Sequence, residues 1–255
     1  MKRILLLCLV LSACAALGQT TPPSTATIFS NLDDSRTGWG SCTDCAGGGA
    51  LAGMYWMAQF QTTPSVDGDS TQFYLSGPAW TDVLWWNKLG AHDSFTNFQT
   101  DFWVMFGSDA VANAQALEFD TFQFVRGREY MFGTQCDSAV NAWDVWNQQA
   151  GKWITTSIPC GKFTANVWYH MTWQFHRSST QRDKNMYYDA LTIVQYGSDG
   201  KTIVSNKAYQ VNLAYPSGGL PSGWSDDLGV QFQMDSNASG GTMTEWVDRV
   251  KLTAW

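Results

Sequence analysis

Residues 168–176 alternate strictly between large apolar and mostly polar side chains, and this pattern constrains the fold more than any other feature of the chain. Every second residue from Tyr169 to Phe175 is apolar, whereas His170 and Gln174 stand among the residues between them. A period of two places successive side chains on opposite faces of an extended strand. The segment therefore predicts a sheet with one face in a core and one polar face.

Other segments rich in aromatic and β-branched residues repeat this character, with Gly, Pro, Asn, Asp and Ser between them. The predicted strands are Met54–Gln61, Thr71–Leu75, Phe98–Phe106, Gln115–Phe124, Glu129–Thr134, Trp168–His176, Met186–Tyr196, Val230–Asp235 and Glu245–Thr253. Residues 198–201 contain Asp-Gly and predict a hairpin turn. Thr81–Leu89 is the one segment that suggests a helix. Many strands without alternating helices predict an all-β sandwich, formed as a single domain by residues 28–255.

Residues 116–122 place two carboxylates inside an apolar, aromatic segment. In a strand, Glu118 and Asp120 point to one face, and Leu117 and Phe119 point to the other. Carboxylates on a buried strand face are costly unless they are paired, bind a metal or take part in chemistry. This pair is therefore the first candidate for a functional site.

The residues Glu118-Phe119-Asp120-Thr121 resemble the "EFDT" strand of legume lectins, in which both acids bind metal. They also resemble the acid-x-acid-x-x-acid motif of laminarinase-type glucanases. Both families belong to the concanavalin A-like lectin and glucanase superfamily, and residues 168–170 resemble a strand common in related jelly rolls. The resemblance implies a concanavalin A-like jelly-roll sandwich of two antiparallel sheets.

The glucanase motif is incomplete in this chain. It implies that Glu118 is a nucleophile and that Asp120 sets its protonation state, but its third position is Gln123, which cannot act as a general acid or base. A second carboxylate would have to come from elsewhere, for example from Asp101 or Glu129. The sequence thus favours a protein with no catalytic residues, with Glu118 and Asp120 as the catalytic pair if it is an enzyme.

The lectin metal site is incomplete as well. In lectins the segment after the motif supplies Asn, Asp and His ligands, whereas residues 122–133 of this chain contain none of these and include Arg126 and Arg128. Glu118 and Asp120 alone form a weak calcium site. We therefore expect no cofactor, with calcium as the alternative, and expect neighbours such as Arg126 or glutamine amides to hold the two acids.

Several strand faces combine Trp, Gln, His and acidic residues, and the concave face of this superfamily's inner sheet binds glycans. The chain also contains 14 Trp, 14 Phe and 9 Tyr, some of which suit stacking on sugar rings. The expected ligand is a polysaccharide or surface glycan; a structural or adhesive module is the alternative. The predicted ligand-binding residues are Glu118, Asp120, Asp101, Trp103, Trp168, His170 and Gln174.

The N-terminus predicts export. Lys2 and Arg3 precede a short apolar run, which indicates a signal peptide over residues 1–18, or a lipoprotein signal over residues 1–13 with a lipid anchor on Cys14. Residues 19–27 form a short Thr/Pro/Ser-rich tether. The location would be secreted, periplasmic or on the cell surface. The net charge of −7 becomes about −9 without the signal, which argues against nucleic acid or an anionic membrane as the partner.

Export also makes the remaining cysteines interpretable. Four cysteines lie beyond the signal: Cys42, Cys45, Cys136 and Cys160. Their even number favours disulfides in an oxidising compartment over a redox or zinc site. Of the three possible pairings, we predict the local one, Cys42–Cys45 with Cys136–Cys160.

Overall fold

The computed structural model describes residues 20–34, 38–43, 45, 49–180 and 184–255, so the predicted signal and Cys14 lie outside the described residues. Strands make up nearly all of its regular structure. In chain order they are β1 (Thr27–Phe29), β2 (Trp39–Cys42), β3 (Ala50–Leu51), β4 (Met54–Gln61), β5 (Ser70–Gly77), β6 (Thr81–Lys88), β7 (Asn97–Phe106), β8 (Ala114–Val125), β9 (Arg128–Phe132), β10 (Thr134–Asp137), β11 (Ala142–Asn147), β12 (Lys152–Pro159), β13 (Trp168–Arg177), β14 (Asn185–Tyr196), β15 (Ile203–Pro216), β16 (Gly218–Gly219), β17 (Asp227–Ser236) and β18 (Gly241–Ala254). One short helix, α1 (Ser108–Asn113), joins β7 to β8. In the described part of the chain, no helix is long and apolar enough to cross a membrane.

The strands form two sheets. Sheet I has the order β15-β14-β13-β7-β18-β5-β4, with β1 added to β18. Sheet II has the order β12-β11-β10-β8-β17-β6-β2, with β9 on β8, β16 on β9 and β3 on β6. Every pairing is antiparallel except that of β3 with β6. The predicted all-β sandwich of two antiparallel sheets is therefore confirmed.

Aromatic rings from the two sheets meet in the core. Phe102 of sheet I stacks on Phe119 of sheet II with ring centroids 4.1 Å apart. The alternating residues of β13 enter the same layer, where Trp173 packs edge-to-face on Trp143. Burying each such ring stabilises the fold by about 1.5–3 kcal/mol. The alternate side chains of each strand point away from the core and form the outer faces of the two sheets.

The helix predicted over Thr81–Leu89 is wrong, because this segment is strand β6. It pairs with β17 on one side and β2 on the other, and Val83 and Trp85 alternate into the core. Because Trp85 and Trp86 are adjacent large apolar residues, the alternation of apolar and polar side chains is not evident in the sequence of this segment. The C-terminal strand β18 lies inside sheet I, between β7 and β5, and not at its edge.

The hairpin at residues 198–201 is confirmed and joins β14 to β15. The Gly197 N–H donates to the Thr202 carbonyl at 2.7 Å, and the Asp199 carboxylate accepts from Lys201 N and Thr202 N. Gly200 has φ of +65°, which glycine adopts without steric penalty.

Both predicted disulfides are present. Cys42 bonds to Cys45 beside the end of β2, and Cys136 of β10 bonds to Cys160, which follows β12. The second disulfide thus connects strands at one edge of sheet II.

The two disulfides should stabilise the fold unequally. Exchanging Cys136 and Cys160 for Ser releases a cross-link between residues 24 apart, which should lower the free energy of unfolding by about 3 kcal/mol in the chain-entropy model. Exchanging Cys42 and Cys45 for Ser opens a far shorter loop and should cost less. Urea unfolding of both double variants measures the difference, and a larger loss in the Cys42/Cys45 variant would contradict this account.

Candidate functional site

A continuous groove runs over the face of sheet II that points away from the core. Three adjoining sections of the groove share residues, among them Glu118, Gln231 and Trp153. Along β6 it extends from Asp82 to Lys88, which corresponds to about 20 Å of strand. Every second side chain along these strands points outward and forms this surface, since the side chains between them fill the core.

Glutamine amides and carboxyl groups alternate across the floor of the groove. Gln231 lies opposite Asp120 in the β17–β8 register and donates to its Oδ2 at 2.7 Å. Gln135 donates to the Asp144 Oδ2 at 2.8 Å, and Gln233 donates to the Asp235 Oδ1 at 2.8 Å. These bonds fix the orientation of the polar groups before any ligand arrives.

Burial and mutual repulsion shift the titration of the floor carboxyls. Burial raises the pKa of Glu118, and the neighbouring Asp120 and Asp235 raise it further. Burial also raises the pKa of Asp120 to about 7, although the Thr134 N–H and the Gln231 amide oppose the shift. The pKa of Asp235 is about 7 for the same principal reason, with repulsion from Asp82 adding to it. Glu118 and Asp120 lie two residues apart on one face of β8, so ionising one of them opposes ionising the other.

Two acceptors on this face have no hydrogen-bond partner within the described chain. The Asp82 side chain accepts from the Gly49 N–H through Oδ2, whereas its Oδ1 is buried and unpaired. Asp144 Oδ1 is likewise unpaired, although Oδ2 is bonded to Gln135. Buried acceptors of this kind favour a donor from water or from a ligand.

Tryptophans stand along the groove. Trp146 and Trp153 face each other across β11 and β12, edge-to-face with centroids 5.2 Å apart. Trp86 lines the other part of the groove together with Trp224, which is 53% exposed. Trp80, 52% exposed, lies at the opposite end. The groove thus offers flat apolar surfaces beside a hydrogen-bonding floor.

No protein family and no curated protein matches the sequence. Among solved structures, the chain is similar to the cellulose induced protein Cip1, with a TM-score of 0.50 and 12% identity over 88% of this chain and 96% of that one. An alginate lyase from Aplysia kurodai has a TM-score of 0.49 at 10% identity, with coverages of 79% and 89%. Arcelin-5 from Phaseolus vulgaris has 0.46 at 12% identity, with 91% and 99%.

The chain has a jelly-roll sandwich fold. At these identities the likeness concerns the fold, so the jelly roll's function has to be argued from its groove.

The jelly roll separates the predicted ligand-binding residues into two groups. Glu118 and Asp120 lie in the groove, whereas the other five belong to β7 and β13 and lie on the outer face of sheet I. The structure therefore does not bring the predicted set together in one site. The residues on sheet I are Asp101, Trp103, Trp168, His170 and Gln174.

The sheet I group forms its own set of internal contacts. Trp103 stacks on His170 with centroids 5.0 Å apart, and His170 Nε2 lies 3.4 Å from Asp101 Oδ1. Burial alone would raise the pKa of Asp101, but hydrogen bonds from His170 and Gln99 and the charge of Lys251 outweigh it and lower that pKa to about 2. Trp168 is buried, and Gln174 bonds to the Thr20 backbone, at the predicted tether. Asp101 and Gln174 therefore already have hydrogen-bond partners within the chain.

Gln123 lies on the face of β8 opposite to Glu118. The β8–β17 register is continuous between the two residues, so their odd separation along the strand sends the two side chains in opposite directions. Gln123 is buried and donates to the carbonyls of His92 and Phe95. Of the substitute carboxylates considered, Asp101 lies on the other sheet and Glu129 lines the groove.

Glu118 and Asp120 do not fit the metal site implied by the lectin resemblance. Both Asp120 oxygens already accept hydrogen bonds, from Thr134 N and Gln231 Nε2. Raised pKa values favour protons over a cation on both acids. Within the described ranges there is no group of three or more His, Cys, Asp or Glu arranged to hold a metal ion.

The expectation that neighbours hold the two acids agrees with the position of Gln231, but Arg126 lies in a different pocket. Trp146 lines the groove, whereas Trp143, on the same strand β11, is buried in the core. Sequence reasoning missed Asp82, because its segment was interpreted as a helix. It also missed Trp153, since β12 carries no strong alternation.

The raised pKa values predict that stability falls as pH rises. Between about pH 4 and pH 7 the folded protein binds more protons at these carboxyls than the unfolded chain, so the free energy of unfolding decreases with pH. Glu118→Gln keeps a neutral group in place and relieves the repulsion on its neighbours. This variant should lose less stability than the unchanged protein between pH 5 and pH 8 in urea titrations.

Asp226→Asn, which removes a carboxylate outside the groove, is the matched control. A Glu118→Gln variant with an unchanged pH slope would show that the floor carboxyls do not titrate together.

Proposed function

We propose that this chain is an exported, non-catalytic carbohydrate-binding module that holds a polysaccharide or surface glycan in the groove of sheet II. The observation that carries the proposal is the floor of preoriented amides and carboxyls between tryptophan walls. Sugars present hydroxyl groups, each a donor and an acceptor, together with apolar ring faces. The groove offers the complementary groups for both.

The polar floor suits hydroxyl groups because it is rich in acceptors. Asp82 lines the groove, and its Oδ1 is an acceptor without a partner in the described chain that a ligand hydroxyl reaching it would satisfy. Leaving such a group unpaired costs about 1–3 kcal/mol, which a matching ligand recovers. The exposed tryptophans supply large apolar area at a low entropic cost.

The charge of the groove favours a neutral ligand over a polyanion. Five carboxyl groups line it, those of Asp82, Glu118, Asp120, Glu129 and Asp235. The cations that line it are Lys88 and Lys152, both at its margins. Above about pH 7, where Asp120 and Asp235 are ionised, an anionic chain laid over this floor would be repelled.

The proposed location is outside the cytoplasm. Two disulfides are consistent with an oxidising compartment, as is the predicted signal over residues 1–18. The lipoprotein alternative, with a signal over residues 1–13, adds a membrane anchor at Cys14. The proposal requires no cofactor and no nucleic acid.

Trp153→Ala should weaken glycan binding by about tenfold or more, because it removes an aromatic wall of the groove. Trp56→Ala is the matched control, since Trp56 belongs to sheet I and is 36% exposed. A glycan array identifies the ligand, and affinity electrophoresis in gels with glucan, mannan or xylan measures both variants. Retardation by no glycan would favour a structural or adhesive module, and equal losses in both variants would place binding outside the groove.

The alternative function is a laminarinase-type glycoside hydrolase that uses Glu118 and Asp120. It predicts measurable hydrolysis of a β-glucan. We expect no reducing sugar from common β-glucans, and no change in Glu118→Gln. Gln123→Glu should remain inactive because its side chain points away from the groove. Hydrolysis by the unchanged protein that disappears in Glu118→Gln would show that the protein is an enzyme.

A further inference from the structure

A second pocket, at one end of the sandwich, has the opposite charge to the groove. It is formed where the β8–β9 hairpin meets the end of β13, residues 178–180 and Lys184. We call it the basic pocket. Its described lining residues are Val125, Arg126, Arg128, Tyr130, Arg177, Ser178, Ser179, Thr180 and Lys184.

The concentration of positive charge in this pocket stands out in an acidic protein. The chain has 15 Lys and Arg residues against 22 Asp and Glu, yet Arg126, Arg128, Arg177 and Lys184 all line this one pocket. None of its described lining residues is acidic. Uncompensated like charges destabilise a folded protein, so such a grouping is explained most simply by an anion that compensates it.

The charges repel each other in the folded chain. Burial lowers the pKa of Arg177, and the nearby charge of Arg126 lowers it further, against the opposing effects of Tyr130 and Asp93. The Arg177 guanidinium also lies 5.4 Å from the centre of the Tyr130 ring. A bound anion would remove this repulsion.

Two of the cations are held in place by the fold. Arg177 donates from Nε to Gln123, from Nη1 to the Ser178 carbonyl and from Nη2 to the Asp93 carbonyl. Its two terminal nitrogens each keep a second N–H. Arg128 donates to Ser217 through Nε and Nη2. These bonds position the guanidinium groups at the pocket wall without neutralising them.

The other two cations are free to engage a ligand. The side chains of Arg126 and Lys184 are exposed and have no hydrogen-bond or ion-pair partner among the described residues. Arg126 adopts φ of +50° in the turn between β8 and β9, a conformation uncommon for residues other than glycine. The hydroxyl-bearing Ser178 and Ser179 add neutral donors to the pocket.

We propose that the basic pocket binds a tetrahedral oxyanion, phosphate or sulfate, either free or as an ester on a saccharide. Arg126, Arg177 and Lys184 supply charge-assisted donors from separate elements of the fold, so a ligand with three or more acceptor oxygens satisfies them better than a planar carboxylate. This site is distinct from the groove and does not depend on the function proposed for it.

The test compares the full chain with Arg126→Gln/Lys184→Gln, which removes the two unpaired cations and leaves the structural Arg177 intact. Isothermal titration with inorganic phosphate, inorganic sulfate, glucose 6-phosphate and glucose 6-sulfate should show saturable binding of at least one probe by the unchanged protein. The double variant should bind it about tenfold or more weakly. Tighter binding of an ester assigns the site to a sugar-borne anion, and tighter binding of an inorganic ion to the free anion.

Lys201→Gln/Lys207→Gln is the matched control, because it removes the same net charge from the exposed β14–β15 region. It should bind like the unchanged protein at equal ionic strength. Without anion, the melting temperature of the pocket variant should not fall, since its mutations relieve repulsion. The proposal is overturned if no probe binds saturably, or if the control variant loses as much affinity as the pocket variant.

Discussion

Contact between aromatic rings of the two sheets is the interaction on which the rest of the structure depends. Phe73 of β5 packs on Phe232 of β17 with ring centroids 4.6 Å apart. Phe132 of β9 packs on Phe175 of β13 with ring centroids 5.0 Å apart. Every second residue of the central strands is committed to this layer. The residues between them are thereby directed outward, and on sheet II they form the groove.

The groove combines groups that a stable fold alone would not select. Its carboxyls are buried close enough together that their pKa values rise, and the amides of Gln135 and Gln231 bond to them. Replacing such a network with apolar residues is often neutral or stabilising in other proteins. The network lies beside exposed tryptophans, which is the combination that the proposed glycan binding uses. The basic pocket shows the same kind of local concentration with the opposite sign.

The fold could be predicted from sequence because its signal is local. The period of two in Trp168–His176 and the Asp-Gly turn at residues 198–201 each depend on a few adjacent residues, and both predictions hold. Thr81–Leu89 was not recognised as a strand, because two adjacent tryptophans obscure the alternation of apolar and polar residues. The disulfide pairs were predictable because proximity in sequence placed the partners near each other.

The site could be predicted only in part, because its composition depends on which strands share a sheet. Glu118 and Asp120 were identifiable from their spacing on one strand, but nothing local indicates that Asp82 joins them or that Asp101 belongs to the other sheet. The orientation of Gln123 likewise follows from an unbroken strand register, which the motif alone does not reveal.

Hydrogen–deuterium exchange with and without a bound soluble polysaccharide tests most directly whether the groove of sheet II is the glycan-binding surface. The account predicts slower exchange in β8, β17 and the β11–β12 hairpin, whose outward side chains line the groove. It predicts unchanged exchange in β7 and β13 of sheet I. Protection confined to β7 and β13 would contradict the account and place the ligand on the face that carries Trp103 and His170.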